Sequence, residues 1–177
     1  MKPVLVTAFL CLSLASAAQA GATILPDSCG DDKVKFDVST QKNQPAPAPP
    51  EAGKAQVVLI EDENRMLGPF MYATVRFGLD GNWAGANNNN SYFTVTVPPG
   101  VHHLCVSWQS ALPMLKKSID VASFTAEPGK VYYFAADVRV IPVGDNSATY
   151  DFALAQLDDD KGQYRLKAWK LATSTPK

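Results

Sequence analysis

The sequence predicts an all-β protein, an antiparallel β-sandwich of seven to eight short strands with a short helix near the C-terminus. Three observations carry that expectation. Strand-length apolar or alternating runs recur over residues 56–154, turn residues separate them at regular intervals, and helical periodicity is almost absent. A small barrel is the alternative all-β arrangement.

Size and composition bound the rest. A chain of 177 residues with 46% apolar content can build one domain with a real core. At the N-terminus Lys2 precedes an apolar run over residues 4–15, and Ala18-Gln19-Ala20 supplies the small residues of a signal-peptidase site. Residues 1–20 are therefore expected to be a cleaved signal peptide. The run is shorter than the roughly 20 residues a membrane span needs, and Cys11 follows Leu10 where a lipid-attachment signal wants a small residue. Removal of residues 1–20, with their single lysine, leaves 157 residues carrying 15 basic and 17 acidic side chains, a formal charge of −2. That balance gives no electrostatic case for a nucleic-acid partner or an anionic membrane surface. The mature chain is expected to be periplasmic or secreted, without a transmembrane segment.

Taken in order, residues 21–53 read as a polar leader closed by a Pro-rich spacer, residues 44–50 (QPAPAPP), which favours extended polyproline-type chain. Within it, residues 33–38 (KVKFDV) alternate and are either a short strand or an exposed segment. The sandwich domain is expected over residues 54–177. Residues 56–60 (QVVLI) are apolar on both faces, which predicts an interior strand covered on two sides, with Glu61, Asp62, Glu63 and Asn64 ending it in solvent. Asp80-Gly81 between two strand-like runs predicts a hairpin whose turn accepts positive φ. Strands over 92–97 and 101–108 flank Pro98-Pro99-Gly100, and strands over 120–126 and 131–141 flank Glu127-Pro128-Gly129-Lys130. In both turns proline presets φ and the following glycine supplies a positive φ. In the last of these strands Tyr132, Phe134, Ala136, Val138 and Val140 share one face, while Tyr133, Asp137 and Arg139 share the other, the pattern of a half-buried strand. Tyr150, Phe152 and Leu154 mark one more strand. At the end Asp158 caps a short helix through Leu166, which Gly162 weakens. Alternation over 164–171 also fits a strand, and the helix is preferred.

The residues that carry chemistry are few. There is no Gly-x-Ser-x-Gly elbow, no His-Glu-x-x-His pair and no Cys-x-x-Cys motif. His102 and His103 are adjacent and face opposite ways on a strand, and His103 with Cys105 on one face lacks further metal ligands. The acidic runs 61–63 and 158–160 lack calcium-loop spacing. No metal, cofactor or catalytic group is therefore expected. Trp83, Asn87, Asn88, Asn89, Asn90 and Tyr92 form the candidate ligand surface, because aromatic faces and amides together suit sugars or peptides. The bland alternative is a loop whose asparagines serve left-handed backbone and whose aromatics pack inward. Cys29 and Cys105 are the only cysteines left after signal cleavage, so a disulfide between them is expected to pin the leader to the sandwich. These features favour a non-catalytic module that binds an envelope protein or a glycan. A structural accessory subunit of an envelope assembly and a hydrolase with an unrecognised site are the alternatives.

The ordered motifs Leu79-Asp80-Gly81-Asn82-Trp83, Asn90-Ser91-Tyr92-Phe93, Val97-Pro98-Pro99-Gly100-Val101-His102 and Pro128-Gly129-Lys130-Val131-Tyr132-Tyr133 carry a family likeness. Over roughly residues 54–156 the chain resembles the bacterial domain-of-unknown-function family numbered 2846, found in secreted and lipid-anchored envelope proteins. It is also similar in strand-and-turn grammar to PEGA surface repeats. The resemblance implies a β-domain at the cell envelope and brings no activity with it. Many members of that family carry a lipid-attachment cysteine, which this chain lacks, so release is expected rather than anchorage.

Overall fold

The computed structural model describes residues 29–62, 74–88, 90–109, 118–144 and 148–177; the expected signal peptide lies outside them. These residues form ten strands and one helix: β1 (Phe36–Gln41), β2 (Ala55–Asp62), β3 (Thr74–Leu79), β4 (Asn82–Asn87), β5 (Ser91–Val97), β6 (Gly100–Gln109), β7 (Ile119–Ala126), β8 (Val131–Pro142), β9 (Ala148–Leu157), α1 (Asp159–Ala168) and β10 (Lys170–Pro176). A six-stranded sheet in the order β1-β10-β5-β2-β8-β9 packs on a four-stranded sheet in the order β4-β3-β6-β7. The all-β two-sheet architecture is the one expected. It has more strands than the seven to eight expected, and two of its ladders are parallel.

Why these residues take these places follows from their patterns. Val57, Val58, Leu59 and Ile60 are fully buried because β2 lies between β5 and β8, with one face on the second sheet and the other beneath α1. Between the sheets sit Val57, Leu59, Phe77, Phe93, Val106, Trp108, Phe124 and Phe134, with Phe77 and Phe93 edge-on at 5.8 Å. Outside the larger sheet Val58, Ile60, Tyr92, Tyr133 and Ala135 form a second cluster with Leu166, Trp169 and Leu171. Tyr133 is thus 6% exposed, and the strand expected to be half-buried is covered on both faces over residues 133–136.

The parallel ladders are the departure from a simple sandwich. β2 pairs β8 in parallel from Gln56↔Val131 to Asp62↔Asp137, and β10 pairs β5 in parallel at Lys170↔Ser91 and Leu171↔Tyr92. Parallel neighbours need a long crossover, and here the chain makes it by visiting the second sheet between β2 and β8.

The turns behave as their residues dictate. Asp80 (φ 50°) and Gly81 (φ 80°) both have positive φ in the β3–β4 hairpin. Lys130 N–H donates to the Glu127 carbonyl at 3.2 Å across Pro128-Gly129, with Gly129 at φ 76°. His102, 6% exposed, spans two turns: Nδ1 lies 2.7 Å from Asp80 Oδ2 and Nε2 lies 2.8 Å from the Pro98 carbonyl.

The stretch read as leader is drawn into the fold. The Cys29–Cys105 disulfide is present, with a Cα–Cα distance of 5.6 Å that the bond's geometry accommodates. From it residues 29–35 strap across the outer face of the smaller sheet. Arg76 donates to the carbonyls of Val34 (2.9 Å), Asp32 (3.4 Å) and Trp108 (3.4 Å), and its guanidinium stacks 4.1 Å from the Trp83 ring centre. Burial holds the Arg76 guanidinium below its usual pKa, an effect the Asp32 carboxylate partly offsets. The strap then enters β1, which pairs antiparallel with β10, and the Gln109 side chain pairs the free edge of Phe36 through both N–H and carbonyl (2.6 and 2.8 Å). Single side chains also tie the two sheets along both open sides: Leu154 N–H donates to Asp120 Oδ2 at 2.7 Å, and Ala86 N–H donates to Ser174 Oγ at 3.1 Å.

Candidate functional site

Within helix α1 the only buried residue is Gly162, with Leu166 partly buried on the outer cluster; a cap fixes where the helix starts and two specific contacts to the larger sheet place it. At its start Asp158 accepts the Lys161 N–H at 2.8 Å, which holds that exposed carboxylate below its usual pKa, and Asp159 and Asp160 occupy the first turn. In its middle Gly162 lies flat on the Tyr133 ring, where a Cβ would stand within 2.5 Å of both Cδ atoms. At its end Asp62, on the last residue of β2, accepts Arg165 Nε at 2.8 Å and Trp169 Nε1 at 2.6 Å. The glycine that weakens the helix in isolation is what lets the helix approach the sheet.

That approach leaves a groove between α1 and the Pro-rich segment. Gln56 Nε2 donates to the Ala48 carbonyl at 3.2 Å and holds the segment against the outer face of the larger sheet. Between this wall and Tyr133, Val131 and Leu166 lies an apolar hollow of about 260 Å³, bounded at its rim by Gln163 and Lys167. A second, polar hollow of about 470 Å³ shares Val131, Tyr133 and Gln163 with the first and is edged by Glu127, Lys130, Gln156 and Asp159. Burial, and secondarily the Asp159 charge, push the Tyr133 phenol above its usual pKa, so it stays a neutral hydrogen-bonding group at neutral pH. Two carboxylates and two amines leave this lining without net charge.

The surface expected from sequence is not assembled as one patch. Trp83 is half-buried under the strap, donates Nε1–H to the Asp31 carbonyl at 2.8 Å and packs on Gly30. Asn87 is fully buried in β4 and donates Nδ2–H to the Leu59 carbonyl at 2.9 Å, bridging the sheets. Asn88 N–H donates to Ser91 Oγ at 3.2 Å, Asn90 takes the left-handed backbone (φ 53°) that its residue type tolerates, and Asn89 lies outside the described residues. Tyr92 is 2% exposed in the cluster under α1, where burial raises its pKa. Trp83 and Tyr92 therefore belong to different layers. The sulfur of Cys105 is engaged with Cys29, which removes it from any site with His103.

No family model matches the chain, and no curated protein or solved structure matches it. Among the described residues no helix is long and apolar enough to cross a membrane, and no group of three or more His, Cys, Asp or Glu side chains is placed to hold a metal ion.

Sequence reasoning missed the groove because its parts are scattered over residues 46–49, 56, 127–133 and 156–167. A local signal existed only for the Pro-rich wall, which read as a spacer without a packed face.

Proposed function

We propose that this chain is a secreted or periplasmic, non-catalytic β-sandwich that works as a binding or envelope-interaction module, with the groove beside α1 as its contact site. The observation that carries the reading is the juxtaposition of an apolar and a polar hollow around Tyr133 and Gln163, the mixture of an apolar surface and a few converging polar groups that ligand sites use. The signal-like N-terminus and a disulfide suited to an oxidising compartment support the address. Photo-crosslinking from position 163 in intact cells tests it, with position 82 as the control. A partner captured from 163 alone supports the groove, and capture from 82 alone argues for another surface.

The second reading, a structural accessory subunit, has its own observation. Ile119 and Val121 are 52% and 55% exposed on the edge strand β7, as an assembly contact would require. Such a subunit should purify with one stoichiometric partner that Ile119→Lys releases. Turnover of an ester, peptide or glycoside panel, abolished by one carboxylate or serine substitution, would defeat both non-enzymatic readings.

A further inference from the structure

We propose that the groove takes an extended peptide, with one bulky apolar side chain in the hollow beside Tyr133 and Leu166 and its main chain along Gln56, Gln163 and Gln156. The inference rests on the groove being the contact site, and it names the ligand class.

Four observations converge on a peptide. The apolar hollow, about 260 Å³ and lined by proline, valine, leucine and tyrosine carbons, exceeds the roughly 150 Å³ that suffices for a benzene ring in an apolar cavity. It therefore accommodates a leucine or phenylalanine side chain. The rim offers three glutamine side chains: Gln56 already donates to the Ala48 carbonyl, while Gln156 and Gln163 are exposed and able to donate and accept, which is what a peptide main chain requires. Glu127 and Asp159 stand against Lys130 and Lys167, so an anionic or cationic ligand gains nothing from net charge. Finally, the groove already holds an extended chain along one wall: Gln56 donates to the Ala48 carbonyl within the Pro-rich segment, the contact that a polyproline-type backbone, whose carbonyls have no internal partner, offers any reader.

A glycan fits less well. Sugar rings stack on open aromatic faces, whereas of the two aromatic residues lining the hollows Tyr133 is 6% exposed with its ring against Gly162, and Tyr132 is half-buried with its ring 5.0 Å from that of Phe124.

The test is titration of the oxidised mature protein with capped pentapeptides, acetyl-Gly-Gln-X-Gln-Gly-amide, where X is leucine, phenylalanine, glycine or glutamate, followed by calorimetry and amide chemical-shift mapping. Maltotriose and a trimer of N-acetylglucosamine form the second arm. The leucine and phenylalanine peptides should bind at least about tenfold more tightly than the glycine peptide, the gain from burying one apolar side chain, with shifts centred on Val131, Gln163 and Leu166. Gln163→Ala, at an exposed helix position, should weaken them several-fold without moving Tm. Equal affinity for leucine and glycine, or silence of every peptide at the groove, overturns the proposal. Shifts at the groove from a trisaccharide alone overturn the ligand class while leaving the groove reading intact. If crosslinking also finds the cellular partner elsewhere, the groove reading falls as well.

Discussion

Replacing Gly162 by alanine sets two effects of opposite sign against each other. In an isolated helix the change should stabilise, because alanine is better than glycine by about 0.8–1 kcal/mol in a helix interior. In this fold the new methyl group would meet the Tyr133 ring within 2.5 Å of both Cδ atoms. Tyr133 is 6% exposed and packs with Val58, Ile60 and Tyr92, so the ring can yield only by breaking those contacts and moving into the hollows it lines. Overpacking of this kind costs about 1–3 kcal/mol, and with so deep an overlap the upper part of that range applies. The net expectation is destabilisation by roughly 1–2 kcal/mol, with Tm falling by about 2–4 °C for each kcal/mol in a chain of this size. Urea unfolding of the mature protein gives the midpoint, and an unchanged m-value licenses its conversion to free energy. The control is the same substitution in a Tyr133→Ala background. There the obstacle is gone and Gly162→Ala should stabilise by a few tenths to about 1 kcal/mol. A stabilised single variant in the otherwise wild-type protein would refute the close contact between helix and sheet, and with it the shape of the groove.

Cys29→Ser should cost about 2–4 kcal/mol in urea unfolding, more than a tether on a free leader would contribute, because the strap leads directly into β1; a variant as stable as the oxidised parent would show that the strap holds itself. Arg76→Lys should lose roughly 2–3 kcal/mol, since a single ammonium cannot reach three carbonyls and stack on Trp83 together; unchanged Tm and unchanged tryptophan fluorescence would contradict this. Burial raises the folded-state pKa of Tyr92 and Tyr133 above the unfolded value of about 10. Their contribution is therefore intact below about pH 10 and is lost as pH rises toward the folded-state values, because the unfolded state releases its protons first. Absorbance titration at alkaline pH should show Tyr92 and Tyr133 ionising late, a late phase that Tyr92→Phe and Tyr133→Phe diminish, and absence of that phase in the folded protein would count against their burial.

How much of this was legible depends on how local each cause is. Asp80-Gly81 and Pro128-Gly129 fix backbone angles within four residues, so the hairpins they form could be read directly. The unbroken apolar run 57–60 likewise announced a strand covered on two faces. β10 could not be read that way: Lys170–Pro176 is rich in small polar residues and becomes a strand because β1, far off in sequence, supplies its partner. Asn87 looked like one of four loop asparagines, yet it is buried because the Leu59 carbonyl of the other sheet takes its N–H. Arg76 lies in a strand-like run that carries no sign of burial, and only the strap above it makes it a buried hub. Non-local closure decides each of these, and periodicity carries no record of it.

The pairing of β1 with β10 joins positions as far apart as Phe36 and Pro176, whereas the disulfide joins Cys29 to Cys105, 76 positions apart. For a chain that emerges from its N-terminus, the two closures become possible at different times. The thiols can meet once β6 has appeared, while the partner of β1 is still unmade. An early bond would keep the strap on Arg76 and Trp83 and hold β1 beside the gap that β10 later fills. The covalent link would then serve as a placeholder during assembly, shortening the search for the strand pairing most distant in sequence.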